Sequence, residues 1–248
     1  MPRRVPEPAG AVRAPRIERP LCTVDVVVFT VRDEQLCALL VQRPDAPDEP
    51  FPRRWALPGG FVDPKADASL EACAQRKLAE KTGVVPPYLE QLGSWGDGRR
   101  DPRGWSATHV YFTLMPTTDV VLTAGGNAGE AKWLPVDPPS RWPALAFDHR
   151  RILEAAVERL RSKVEYTSLA AYLLPDEFTL TELQRRFEVV LGRAIEKSAF
   201  RTRMLSVDWL EPLAAMRTGN FRPAQLYRLK APGELVFFPR TFYAKDGR

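Results

Sequence analysis

Two glycines and the helix that follows them constrain this chain most. Gly59 and Gly60 close a short apolar run that begins at Trp55, and residues 68–82 then place Leu70, Cys73, Ala74, Lys77 and Leu78 at i, i+3, i+4, i+7 and i+8, with Gly83 next. That spacing is one face of an α-helix, and glycine just past the last turn readily takes the left-handed conformation in which helices end. An amphipathic helix must bury its apolar stripe. The runs Thr23–Val31 and Leu36–Val41, β-branched and apolar with a polar stretch at 32–35 between them, read as a hairpin of buried strands able to receive it. Further strands are expected at Tyr88–Ser94, Thr108–Met115 and Ala131–Pro135. A second helix is expected from about Phe147 to Lys163, with Ile152, Ala155, Ala156, Val157 and Leu160 on one side. This mixture predicts an α+β domain over residues 21–163.

The remaining segments differ in character. Residues 1–20 are rich in proline and arginine with almost no aliphatic periodicity, the composition of a disordered arm, and they lack the apolar segment of a signal peptide. No run approaches the roughly 20 apolar residues of a membrane helix, so no membrane partner is expected and the cytoplasm is the expected location. The three cysteines, Cys22, Cys37 and Cys73, are scattered without a CxxC pair and read as buried thiols of a reducing compartment. Residues 1–149 hold 18 basic and 19 acidic residues, whereas 150–248 hold 18 and 12. The positive excess therefore lies in the C-terminal two-fifths, an asymmetry expected of a chain that meets a polyanion with one part only.

That part has its own signature. Thr179 and Glu182 form a capping box, in which the threonine side chain caps the helix and the glutamate reaches back. The helix they open carries Leu180, Leu183, Phe187, Val190 and Leu191 at helical spacing, and Gly192 makes a turn. A second short helix, Lys197–Leu205, buries Phe200 and Met204 and turns Lys197, Ser198, Arg201, Thr202 and Arg203 outward. Trp209–Leu213 and Ala224–Leu229 then pair as a hairpin with its tip at 217–222. This is a winged helix-turn-helix over residues 164–232, and residues 193–230 hold 8 basic and 3 acidic residues. A basic helix carrying Ser, Thr and Arg suits the major groove, and a basic wing suits phosphate or the minor groove. The candidate DNA contacts are Thr181, Lys197, Ser198, Arg201, Thr202, Arg203, Arg217, Asn220 and Arg222. Residues 233–248 are a C-terminal extension whose apolar stretch, 235–239, reads either as an added strand or as a dimer contact.

Gly60, Arg76, Leu78, Gly83 and Val84 resemble the box of the Nudix pyrophosphohydrolases, whose helix carries carboxylates on one face to hold Mg²⁺. Here Ala68, Lys77 and Lys81 stand where that family has glutamates, only Glu80 remains, and the loop from Gly60 to Arg76 is two residues longer than the pattern. Two ammonium groups repel a divalent cation but meet a phosphate directly as point charges. The expected site therefore binds a nucleoside diphosphate compound with no catalytic residue beyond the residual Glu80, no metal and no required cofactor; Mg²⁺ enters only if hydrolysis is retained. The segments Trp55–Val62, Arg100–Gly104, Glu130–Trp133 and Ala146–His149 resemble the ADP-ribose branch of the family, which makes Gly59, Gly60, Arg76, Lys77, Lys81, Arg100 and Arg103 the candidate ligand contacts. His149 is expected at a helix start, in packing rather than catalysis.

Both constellations in one chain closely resemble the Nudix-related transcriptional regulators of the NrtR type. That resemblance implies a Nudix αβα sandwich with a mixed sheet followed by a winged helix. It implies a homodimer that binds a palindromic double-stranded operator, represses NAD-metabolism or pentose-use genes, and responds to an ADP-ribose-like effector. The rival expectation is a Mg²⁺-dependent ADP-ribose pyrophosphatase in which Glu80, Glu71 and Asp67 or Asp63 take over as metal ligands.

Overall fold

In the computed structural model of the chain the described residues are 19–83, 86–116, 130–219 and 222–238. Strand β1 (Leu21–Arg32) is the spine of the first domain. It turns at Asp33-Glu34 into antiparallel β2 (Gln35–Gln42), whose outer neighbours are β3 (Trp55–Ala56) and β7 (Ala131–Pro135). β1 also pairs antiparallel with β4 (Gly59–Phe61) and parallel with β6 (Ser106–Leu114), and β5 (Glu90–Asp97) lies against β6. The seven strands form one mixed sheet.

Alternation along β1 assigns its two faces. Val24, Val26 and Val28 pack with Cys73, Ala74 and Leu78 of α1 (Leu70–Thr82), while Val27, Phe29 and Val31 pack with Ile152, Ala156 and Leu160 of α2 (His149–Val164). Both faces are covered by helix, so the strands are apolar throughout and the domain is an αβα sandwich.

The expected elements recur with shifted ends. Helix α1 begins at Leu70 rather than 68 because Ser69 is extended (φ −155°) and its side chain accepts the amide of Ala72. Helix α2 begins at His149 rather than Phe147, because Phe147 sits at φ +52°, outside the helical region. β5 runs from Glu90 to Asp97 instead of 88–94; the Tyr88 carbonyl is taken by the Thr113 hydroxyl at 2.6 Å, and the ladder shifts register between Gln91 and Gly93.

The second domain opens with a single 3₁₀ turn, Leu169–Leu173, and β8 (Phe178–Thr179). Helix α3 (Leu180–Leu191) carries both halves of the expected capping box, and Gly192 closes it at φ +69°. Helix α4 (Lys197–Leu205) has the expected limits, and β9 (Leu210–Arg217) and β10 (Ala224–Leu229) form the wing in a three-stranded sheet ordered β8-β10-β9. Near Val164 the chain changes fold without changing core. Leu153 and Leu160 of α2, Leu169 to Leu174, Leu183 and Phe187 of α3 and Phe200 of α4 belong to one buried cluster. The C-terminal segment returns to this joint: Phe237 bridges to Thr167, Phe238 donates its amide to the Tyr166 carbonyl, and the Phe238 ring meets Trp209 edge-on at 5.7 Å. Within the chain it therefore forms an isolated β-bridge, although Phe237 itself stays 62% exposed; Pro239 lies outside the described residues.

Because Phe187 meets Phe200 edge-on in this common core, Phe187→Ala is expected to destabilise the protein by about 3–5 kcal/mol. Urea denaturation followed by circular dichroism and by tryptophan fluorescence should give one coincident transition; two separated transitions would show that the two domains do not share a core.

Candidate functional site

On the α2 face of the sheet, where β1 and β4 run side by side, lies a cavity of about 230 Å³ walled by Thr23, Asp25, Gly59, Gly60, Arg100 and Arg103 among others. β4 explains both glycines. Its register sets Gly59 opposite Asp25 and Gly60 opposite Val24. A Cβ on Gly59 would lie 2.1 Å from Asp25 Oδ1 and 2.5 Å from the Val24 carbonyl. A Cβ on Gly60 would lie 3.0 Å from Cε of Lys77, on the α1 side of the strand. The carboxylate and the lysine thus flank the same short strand from opposite faces.

The cavity floor is a buried charged network. Asp25 is 6% exposed; its Oδ2 accepts the Thr108 hydroxyl at 2.7 Å and lies 3.5 Å from His149 Nε2 and 3.9 Å from Arg100 Nη2. His149 Nδ1 accepts the amide of Leu57 at 2.9 Å, so the ring proton sits on Nε2, facing Asp25. Burial works against ionisation of Asp25, but His149, Thr108 and Arg100 outweigh it and hold the carboxyl below its ordinary range. Arg100 is itself buried, bound to Asp148 at 2.9 Å and to the Ser106 hydroxyl at 3.2 Å. At the mouth, Arg103 pairs with Asp101 at 2.8 Å and lies over the exposed Phe61 ring, 4.9 Å from its centroid. Arg43 pairs with Glu49 and lies 4.7 Å over the Phe147 ring.

The structure brings Gly59, Gly60, Arg100 and Arg103 together around this cavity, but not the cations of α1. Arg76 binds both oxygens of Asp67 at 2.7 Å and Glu80 at 2.8 Å, and Lys77 faces Glu80 at 3.3 Å. α1 covers the other face of the sheet, which is why neither side chain lines the cavity. The side chain of Lys81 lies outside the described residues. Asp25, Arg43, Phe147 and His149 complete the wall, and no spacing in the sequence joins them, since four separate segments meet only in the folded sheet. His149 is at the start of α2 and packed, as expected, yet it also faces the cavity.

The donor set does not suit the magnesium that the Nudix resemblance implies. Arg76 holds Asp67 well below the usual carboxylate range, and although burial pushes Glu80 upward, Arg76 and Lys77 bring it below its ordinary value. Both carboxylates are thus committed to cations. Asp63 accepts the amide of Lys65. Among the described residues no three Asp, Glu, His or Cys side chains converge as a metal site, whereas Mg²⁺ needs near-octahedral oxygens.

In the second domain, Glu196 caps α4 by accepting the amides of Ser198 and Ala199. Lys197, Ser198, Arg201 and Thr202 are exposed along the helix, and their side chains make no hydrogen bond or ion pair with a described residue. Thr181 and Arg222 are exposed as well. Two of the expected contacts differ. Arg203 turns inward, donating to the Glu165 carbonyl at 2.7 Å with its guanidinium over Phe238. Arg217 folds back to the Glu177 carbonyl at 3.1 Å and the capping-box Glu182. Each arginine follows a nearby acceptor on the domain's own body. Asn220 lies outside the described residues.

The profile of the NUDIX domain matches residues 22–156, and that of the NrtR DNA-binding winged helix domain matches residues 170–229. The chain belongs to the NrtR family of Nudix proteins. An NrtR-type relative of Acinetobacter baylyi, the ADPR responsive transcriptional repressor NtrR, is 44% identical over 221 residues, covering 89% of this chain and 86% of its own. The crystal structure of Shewanella oneidensis NrtR complexed with a 27mer DNA is 45% identical, with a TM-score of 0.76 over 84% of this chain and 93% of that one. The cocrystal structure of the NUDIX domain of that NrtR with ADP ribose is 46% identical, with a TM-score of 0.53 over 60% of this chain and 94% of that one. No described helix is long and apolar enough to cross a membrane.

The two glycines should respond differently. Gly59→Ala meets a carboxylate and backbone and is expected to destabilise the fold by about 2–3 kcal/mol, whereas Gly60→Ala meets the end of a flexible lysine and should cost under about 1 kcal/mol. Thermal unfolding of the two variants, which should rank in that order, checks this.

Proposed function

We propose that this protein is an ADP-ribose-responsive transcriptional repressor that acts in the cytoplasm as a homodimer on a palindromic operator of NAD-metabolism or pentose-use genes. The observation that carries the reading is α4, whose Lys197, Ser198, Arg201 and Thr202 stand exposed and without partners among the described residues. Uncommitted cations and hydroxyls on a short helix followed by a wing are what base-edge and phosphate readout require. The Nudix domain serves as sensor. Its cavity takes one end of the effector, and the diphosphate lies along Gly59 and Gly60, with Arg103 at the mouth and Lys77 across the strand. No metal is needed for binding. With Ala68 and Lys77 in acid positions and Glu80 committed to Arg76 and Lys77, the domain retains the ligand without cleaving it.

Repression and release then follow from linkage: the effector must favour a dimer geometry in which the two α4 helices miss the half-site spacing of roughly 34–36 Å. A physical route joins the two sites. The β1–β2 hairpin lines the cavity with Thr23, Asp25 and Arg43, and at its other end Glu34 pairs with Arg185 and Arg186 of α3. Helix α3 in turn holds α4 through Phe187 and Phe200.

Fluorescence anisotropy on DNA from upstream of the chain's own and neighbouring genes, with and without ADP-ribose in EDTA, tests the reading. ADP-ribose should weaken operator binding by about 5- to 150-fold. Arg201→Ala should lower operator preference more than general affinity, and Arg222→Ala should weaken all duplexes and flatten the salt slope. DNA affinity indifferent to ADP-ribose, or product release from ADP-ribose with Mg²⁺ at about 1 s⁻¹ or faster, would overturn it. For the coupling route, Glu34→Gln should leave ADP-ribose affinity within about twofold while shrinking its effect on DNA binding by about two- to fivefold, as expected for loss of partly exposed ion pairs. An unchanged effect would take the hairpin out of the route.

A further inference from the structure

Charge pairing around the sensor cavity leaves one acid over, and that acid specifies which part of the effector enters. This inference rests on the sensor reading above and deepens it. Each of the three arginines on the wall already has a carboxylate: Arg43 has Glu49, Arg100 has Asp148 at 2.9 Å, and Arg103 has Asp101 at 2.8 Å. A phosphate driven into the interior would therefore meet cations already neutralised, with Asp25 beside them.

Asp25 is 6% exposed. Its Oδ2 accepts from Thr108 and faces His149, but no described residue donates to Oδ1, which lies on the cavity side against Gly59. A buried, ionised oxygen left without donors is costly, and a second anion placed near it is repelled. The group that completes it must bring O–H or N–H donors and no negative charge. Size agrees, since about 230 Å³ is below the roughly 300–1,000 Å³ of pockets that enclose a whole drug-sized ligand. The cavity holds one end of a dinucleotide-like compound and leaves the rest outside.

We infer that Asp25 is the specificity-determining residue of the sensor: its Oδ1 accepts from the free hydroxyls of a ribosyl group that enters the cavity, and it rejects a phosphate at that position. Gly59 is part of the same device, because any side chain there would occupy the place of the hydroxyls.

Isothermal titration of the full-length protein with ADP-ribose, 2′-deoxy-ADP-ribose and 2″-deoxy-ADP-ribose tests this. One of the two deoxy compounds should bind at least about tenfold more weakly than ADP-ribose, the loss expected when a hydrogen bond to a charged group is removed, and it identifies which ribose enters. Asp25→Asn should lower ADP-ribose affinity by a similar factor and erase that deoxy penalty. Two deoxy compounds that bind the unaltered protein as well as ADP-ribose does would overturn the inference, and this arm holds even if the variant does not fold. A deoxy penalty undiminished in folded Asp25→Asn would overturn it too. Failure of ADP-ribose itself to bind would instead remove the sensor reading, so the two failures are distinct.

Discussion

The close approach of β4 to β1 at Gly59 and Asp25 is the constraint around which the sensor domain is arranged. A carboxylate with 6% exposure survives as an anion only because a hydroxyl, an imidazole and a guanidinium converge on it, from β6, from the start of α2 and from the loop before β6. Each of those groups is fixed in turn: His149 by the Leu57 amide, Arg100 by Asp148 and Ser106. The same strand must carry no side chain on either face, since acid lies on one and lysine on the other. Backbone, charge and cavity shape are therefore a single arrangement, and α2 is placed as much by its first residue as by its apolar stripe.

Much of this was legible in the sequence because it rests on short-range chemistry. The buried hairpin, the capping box at Thr179 and Glu182, the Gly83 and Gly192 stops and the limits of α4 all follow from spacing and residue type. The misses share a different origin. Helix α2 starts late because Phe147 adopts a left-handed conformation beside the cavity, which periodicity does not encode. Arg76 and Lys77 belong to the Nudix box by sequence, but they face acids on the far side of the sheet from the cavity. Arg203 and Arg217 lie in the expected elements but bend toward carbonyls of the body, and Arg43 and Phe147 join the cavity only through tertiary contact. Local pattern places elements; the direction of a long cationic side chain depends on which acceptor the fold brings near.

The common core has a mechanical meaning. Helix α2 serves as one wall of the sensor sandwich and as the floor on which α3 and the turn 169–173 rest, so the winged helix is not a separate bead on a linker. A shift of the hairpin or of α2 is transmitted through packed side chains rather than through a flexible tether, as coupling between packed elements with discrete arrangements requires. The ion pairs of Glu34 are partly exposed and individually weak. They suit a contact that must be made and broken rather than one that holds the fold.

Lysine in place of a metal-binding acid has a consequence beyond lost hydrolysis. An effector whose pyrophosphate is met by side-chain cations brings its countercharge problem to a partner that is always present and always at the same concentration as the receptor. In the proposed reading, the threshold of such a switch tracks the abundance of the nucleotide alone and stays put when the cell's free divalent ions rise or fall.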